Sequence, residues 1–405
     1  MKNQGKKHRI SIKRLKTEDY VCFDDLKELI ENLANSGIEE IDIQNYPPYD
    51  EQANTIKSNL SIFDLTDKEF QLLTKKTRPY NFIKVIKTQP YPIVLEDEMI
   101  DKKYLPFKES QLQQYFANPN HIKHYTESAN KYADWLNNKE KFNSSDYRVN
   151  RQIEKDERFW IAQSFITIFE QLDENKKIRD LRELLVKAFR DTPPLENIKS
   201  WENALQVNGN GKLILRFEEN IPSPRSYKKL LRNNIQKRQF IPYILDNAEK
   251  NETEYRENLE GATNVDTLIL NTSNGFNIFI EGKVLSDISS DITYDVFRNQ
   301  IARSIDVMTT NHDFADKDDI RRNLNPKKSF FILLTPKLFQ DNPHSRLYGY
   351  KFEEYKNQPL ALMADLNHRT DIEPYEWKDI LKRIGWLTWE DINQVNRKCC
   401  NWLKR

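Results

Sequence analysis

The sequence predicts an α/β fold: a mixed central sheet flanked by helices, an α/β region ahead of it and a helical tail behind. Three stretches carry that prediction. Val265–Leu270 and Phe276–Ile280 are apolar runs on either side of Thr272-Ser273-Asn274-Gly275, which is strand composition around a turn cluster. Tyr294, Phe297, Ile301, Ile305 and Met308 recur at three and four, the period of an amphipathic helix over Tyr294–Met308. Ser329–Thr335 (SFFILLT) is a continuous apolar run suited to a strand buried on both faces.

At 405 residues the chain has the length of two or three domains. Hydrophobic content of 38% beside 31% charged residues describes a soluble protein able to bury cores. A net charge of +1 excludes a uniformly basic protein, so any nucleic-acid surface has to be a local patch. Lys, Asn and Ile are abundant throughout and glycine is scarce, so lysine content alone says nothing about DNA binding. Cys22 and the adjacent Cys399 and Cys400 form neither a disulfide framework nor a zinc spacing. His121 and His124 stand one helical turn apart without a flanking Cys or acid, and are expected to face solvent. No apolar segment follows the basic start, and no run approaches about 18 apolar residues, which points to a cytoplasmic chain rather than a secreted or membrane-spanning one.

Taken in order, Lys2, Lys6, Lys7, His8, Arg9, Lys13, Arg14 and Lys16 read as a partly disordered basic arm. A helix follows Phe23-Asp24-Asp25 and ends near Gly37, with Leu26, Leu29, Ile30 and Leu33 on one face. Ile38–Ile43 and Tyr80–Ile86 alternate as strands. Residues 1–118 form this α/β region and hold no catalytic constellation; target recognition, oligomerisation and a purely structural role all remain open. Residues 119–192 read as a helical linker region, where Phe159, Trp160, Phe165, Ile166 and Phe169 form an aromatic stripe suited to core packing. Thr192-Pro193-Pro194 marks a break.

The next block, 193–345, opens with a helix over Leu195–Val207 and a strand over Leu213–Phe217. Tyr227–Asn251 then carries Lys228, Lys229, Arg232, Lys237 and Arg238 with no acid before Asp246. That run suits phosphate contacts, and it equally suits a solvated helix face. From 346 to 405 a helical extension carries Trp377, Ile380, Leu381, Ile384, Trp386 and Trp389, which would pack on the core or on a second subunit.

The hairpin contains the chemistry. With the turn centred between Ser273 and Asn274, partner numbers sum to 547, which sets Asp266 opposite Glu281 on one face. Lys283 projects from that same face, two residues further on. Two adjacent carboxylates are costly without a cation between them, and carboxylate oxygens suit Mg²⁺ or Mn²⁺. Glu-x-Lys also begins at Glu174, Glu354 and Glu376, yet only Glu281 lies in an apolar strand behind a paired Asp strand. A plain surface ion cluster at a strand end would use the same residues.

Asp266 followed by Glu281-Gly282-Lys283 resembles the core motif of the PD-(D/E)XK, or restriction-endonuclease-like, nucleases, with Val265 where the family usually has proline. Helix, strand, hairpin, helix and buried strand repeat that family's core order over about a third of the chain. The resemblance implies a restriction-endonuclease-like core at 193–345 and a Mg²⁺-dependent nuclease, Mn²⁺ being able to substitute. It implies Asp266 and Glu281 as metal ligands and Lys283 as the residue that positions or activates water. Gln300 would support them from the following helix, Arg303 would contact nucleic acid, and Glu202 would add an acid from the first helix. DNA is favoured over RNA as substrate, a homodimer is expected for double-strand cutting, and restriction or anti-phage defence with a partner protein is the implied setting. An inactive version of the core, serving as a nucleic-acid-binding or interaction module, is the competing reading.

Overall fold

Two β-sheets, each in its own unit, organise the chain. A computed structural model describes residues 9–14, 17–22, 26–35, 38–45, 54–73, 81–88, 107, 109–137, 152–254, 258–400 and 402–403. The first unit spans Met1–Glu98 and the second Met99–Arg405.

In the first unit the strands are β1 (Arg9–Arg14), β2 (Thr17–Cys22), β3 (Ile38–Asn45), β4 (Asn54–Ser61) and β5 (Asn81–Thr88). They lie in the order β2-β1-β5-β3-β4, antiparallel except for the β1–β5 pair. Helix α1 (Leu26–Asn35) buries Leu29 and Leu33 against Ile38, Ile41 and Ile43 of β3, as its period requires. The basic arm is corrected in part: Arg9–Arg14 is a strand, because Ile10 and Ile12 alternate and pair with Val21 and Asp19. Lys2, Lys6, Lys7, His8 and Lys16 lie outside the described residues.

The second unit holds a mixed five-stranded sheet between helices. Its strands are β6 (Leu213–Pro222), β7 (Ala262–Asn271), β8 (Asn277–Gly282), β9 (Ser329–Thr335) and β10 (Ile384–Thr388), in the order β10-β9-β8-β7-β6. β6, β7 and β8 are antiparallel neighbours, while β8, β9 and β10 run parallel. β9 is buried along its whole length, as a both-faces-covered strand should be. The hairpin register follows from the turn: Thr267 opposes Ile280 and Leu270 opposes Asn277. Gly275, at φ 76°, takes the left-handed conformation that closes it, donating its N–H to the Asn271 carbonyl at 2.9 Å.

The first unit also contains α2 (Asp67–Leu73). One face of the second unit's sheet packs on α3 (Glu109–Tyr115), α4 (Pro119–Asn137), α5 (Glu157–Phe169), α6 (Glu174–Phe189) and α7 (Trp201–Leu205). The other packs on helices of 300–381. The stretch 119–192 is therefore one layer of the sheet's own core rather than a linker, and its aromatic stripe is buried there. The tail is likewise not purely helical, since Ile384–Thr388 adds β10 beside β9. Five apolar-rich residues are too few for periodicity to separate a strand from a helix.

Two helices are shorter than their apolar spacing predicts. α7 starts only at Trp201, capped by the Ser200 side chain, and α10 (Gln300–Met308) starts only after Asn299, whose side chain accepts the Ala302 N–H at 3.1 Å. Residues 292–297 form a loop closed by paired hydrogen bonds between Ile292 and Asp295, leaving Phe297 exposed. His124 is also not simply solvent-facing: its ring meets Arg158 at 2.7 Å and packs on Phe159.

Candidate active site

The turn register, carried one pair beyond Thr267 and Ile280, sets Asp266 opposite Glu281 at the hairpin's open end. The two carboxyl groups are close enough for the Glu281 charge to act on Asp266. Asp266 Oδ2 also accepts the Gly282 N–H at 2.9 Å. Glu281 Oε1 accepts from Lys283 Nζ at 2.5 Å and from Gln300 Nε2 at 2.6 Å. Glu281 is 1% exposed and Lys283 5%, so this is an interior ion cluster rather than a surface one.

Backbone contacts fix the Lys283 position. Its N–H donates to the Leu334 carbonyl at 2.8 Å, and its carbonyl accepts from Trp389 Nε1 at 2.9 Å. Between Glu281 and Lys283, Gly282 lets Ile161 of α5 come close; a Cβ there would sit 2.5 Å from Ile161 Cδ1.

A third carboxylate reaches the pair from β6. Phe217 opposes Thr267 and Glu219 opposes Val265, which puts Glu218 across from Asp266. Glu218 has φ 51°, a left-handed conformation rare for a non-glycine residue and costing of the order of 1–3 kcal/mol. The strands change face there. Leu215 and Phe217 enter one apolar cluster and Ile221 the other, while on β7 Ile269 enters the first and Val265 the second. Strict alternation would keep each set on one face.

Glu157 completes the surround, acting on Lys283 through its charge and accepting from Ser286 Oγ at 3.3 Å. Beside it opens a cleft of about 360 Å³, lined by Lys155, Arg158, Leu285 and Ser286 among others.

Electrostatics follow from this crowding. Burial, then the nearby Glu281 charge, raises the Asp266 carboxyl well above the usual carboxylate range. Burial and Asp266 raise Glu218 as well. For Lys283 burial works toward deprotonation, but Glu281 and Asp266 outweigh it and hold the ammonium charged. Five carboxylates (Asp266, Glu281, Glu218, Glu157 and Asp156) thus stand around two cations, Lys283 and Arg158, and Arg158 is already paired to Asp156 at 2.7 Å. The cluster is short of positive charge.

Among the described residues no group of three or more His, Cys, Asp or Glu is arranged to hold a metal ion. Mg²⁺ usually takes only one or two carboxylates and completes its shell with waters and substrate phosphates, so the Asp266–Glu281 pair fits it in donor chemistry and in charge.

No family model, no curated protein and no solved structure matches the chain. Among the described residues no helix is long and apolar enough to cross a membrane.

The structure thus brings together Asp266, Glu281, Lys283 and Gln300. Glu202 stays apart: it is ion-paired to Arg182 at the start of α7, which is bonded to the turn end of the hairpin through Asn271 and Asn274. Of the expected nucleic-acid contacts, Arg303 lies near Glu260 at 3.5 Å and Arg232 pairs with Glu252 at 2.8 Å. Arg238 Nε donates to the buried Asp295 at 2.6 Å. Lys228 is half-buried, and Lys229 and Lys237 are exposed. Glu218 and Glu157 were not legible in the local sequence: one depends on the β6–β7 register, the other on where α5 crosses the sheet.

Proposed function

We propose that the chain is a Mg²⁺-dependent nuclease that hydrolyses phosphodiester bonds, in DNA rather than RNA, with Mn²⁺ able to replace Mg²⁺. The observation that carries this reading is the half-buried Asp266 beside the buried Glu281, with the Lys283 ammonium 2.5 Å from Glu281. A cluster this deep, and short of positive charge, is costly as a mere structural ion pair. Its residues are those of the PD-(D/E)XK motif that the sequence resembles.

Asp266 and Glu281 would hold the ion, and Gln300 fixes the Glu281 carboxylate by donating to its Oε1 at 2.6 Å. When bound, the ion supplies neutralising charge and polarises a water near the scissile phosphate. Lys283 is placed to act there by its 2.5 Å contact with Glu281 Oε1. Its part is to orient the attacking water and to oppose the negative charge that grows on the phosphoryl oxygens. In-line attack of water then breaks the P–O ester bond, leaving a phosphomonoester and a free hydroxyl. Double-strand cutting calls for two such sites, met by a symmetric dimer. Restriction or anti-phage defence is the setting this activity suits.

The test is incubation of the purified chain with plasmid, linear DNA and RNA, with Mg²⁺ or with EDTA, beside Lys283→Ala. Cleavage that needs Mg²⁺ and Lys283 supports the reading. DNA bound but uncut under every condition would replace it with a non-catalytic binding module.

A further inference from the structure

Away from the carboxylates, three large aromatic side chains are exposed on two segments that are hydrogen-bonded to each other. Phe240 is 76% exposed, Tyr243 66% and Phe297 57%. Single exposed apolar residues are ordinary on protein surfaces, but three rings on two interlocked segments are not. Helix α8 (Arg225–Arg238) ends where the loop 292–297 runs alongside it. Val296 N–H donates to the Arg238 carbonyl at 3.0 Å, and Gln239 Nε2 donates to the Thr293 carbonyl at 2.7 Å. Gln239 Oε1 in turn accepts the N–H groups of Phe240 and Ile241, at 2.9 and 3.1 Å. Tyr243 stands in the first turn of α9 (Pro242–Thr253), behind its N-terminal proline. The rings are therefore carried on a pinned backbone.

Their neighbours are cationic. The Arg238 guanidinium lies 5.5 Å from the centre of the Phe297 ring. α8 reads RSYKKLLRNNIQKR, with no acid, and Lys229 and Lys237 on it are exposed. The first acid beyond is Asp246, one turn past Tyr243. The patch is also tied to the candidate site. The loop that carries Phe297 begins just after Lys283 and ends at Gln300, whose N–H donates to the Ser289 carbonyl at 3.0 Å.

We propose that Phe240, Tyr243 and Phe297 are a stacking surface for unpaired bases, so that the substrate of this chain is nucleic acid with a single-stranded segment. The proposal deepens the nuclease reading and rests on it for the fate of the bound strand. Rings supply π-faces that any base can cover, and lysines beside them track the phosphates. A regular duplex keeps its bases stacked on each other and offers nothing to the rings. The exposed Lys229 and Lys237 of α8 call for an anionic partner, and a nucleic-acid strand supplies its phosphates beside its bases.

The test measures binding of fluorescein-labelled dT20, of an abasic 20-mer and of a 20-base-pair duplex to the full chain in EDTA. Phe240→Ala/Tyr243→Ala and Phe297→Ala should weaken dT20 about tenfold for each ring removed and leave the abasic strand and the duplex unchanged. Phe240→Trp, which keeps a π-face, should bind dT20 like wild type. Lys237→Ala should weaken all three ligands together. Ring variants that bind dT20 like wild type would overturn the proposal. So would an equal loss on the abasic strand, or a dimeric wild type that the ring substitutions turn into a monomer. Without divalent ion the result does not depend on hydrolysis. If the rings hold dT20 and nothing is ever cut, the stacking surface stands and the nuclease reading falls. If DNA is cut while the ring variants bind normally, the reverse holds.

Discussion

Trp389 donates its indole N–H to the backbone carbonyl of Lys283 at 2.9 Å, across 106 residues of sequence. Both partners are buried, and Trp389 also meets Trp160 of α5 edge-on at 5.3 Å. Trp389→Phe keeps most of the ring and strands the carbonyl. We expect a stability loss of about 1–3 kcal/mol by chemical denaturation. Cleavage should fall too, but by less than in Lys283→Ala. Unchanged stability would mean that the bond is not formed in solution.

Glu281 and Lys283 should separate by assay. Glu281→Gln replaces a hard anionic donor with a neutral amide, so Mg²⁺ binding by calorimetry should weaken. Lys283→Ala should leave nucleic-acid binding in place while the cleavage rate drops at least about 10²-fold. Glu354 pairs with Lys351 and Glu376 accepts the Glu373 N–H, neither bond involving Asp266, Glu281 or Lys283, and either should tolerate Gln. Wild-type cleavage by Lys283→Ala would put the active site elsewhere.

Gly282→Ala tests the approach of α5 to β8. The new methyl meets Ile161 Cδ1 at 2.5 Å and Cγ1 at 3.0 Å, an overpacking expected to cost about 1–3 kcal/mol. Ile161→Val deletes the nearer of those atoms, so the double variant should regain part of the loss in thermal melting. Simple additivity of the two substitutions would count against this contact.

Acid should loosen the layer beneath α10. Asp306 is buried against Arg298, His368 and Arg369; burial works to raise its carboxyl, but these partners bring it down to about 2 from an ordinary 3.8. A depressed carboxylate stabilises the fold above its unfolded value and loses that contribution as pH falls through its folded value. The contribution is about 2 kcal/mol, present above about pH 4 and roughly half gone by pH 3. Denaturant midpoints should show the gap between wild type and Asp306→Asn narrowing from pH 5 to pH 3. A gap constant with pH would refute the assignment.

How far the sequence reaches is set by the range of each interaction. Strand composition around a Ser-Asn-Gly turn is local, and it determined the register that aligns Asp266 with Glu281. Helix starts were less accessible: apolar spacing runs back to Tyr294, while the Asn299 cap and the Asp295 bridge decide that α10 begins at Gln300. Five residues, Ile384–Thr388, joined the sheet because β9 offered a parallel edge, a fact about another element. Glu218 escaped for a similar reason. Its nearness to Asp266 comes from pairing between strands whose numbers sum differently from the hairpin's, and its left-handed backbone has no signature in Phe-Glu-Glu. Glu202 was assigned to the site from family order alone, and α7 lies at the other end of the hairpin.

The 106 residues between Lys283 and Trp389 also set an order of events during synthesis. At about 5–20 residues per second, a ribosome completes the acidic hairpin roughly 5–20 s before it makes the indole that holds the Lys283 carbonyl. Over that interval the growing chain carries Asp266, Glu281 and Lys283 without the tryptophan that holds the Lys283 carbonyl. On the nuclease reading proposed above, the three groups are thereby kept from their final setting until the indole has been made.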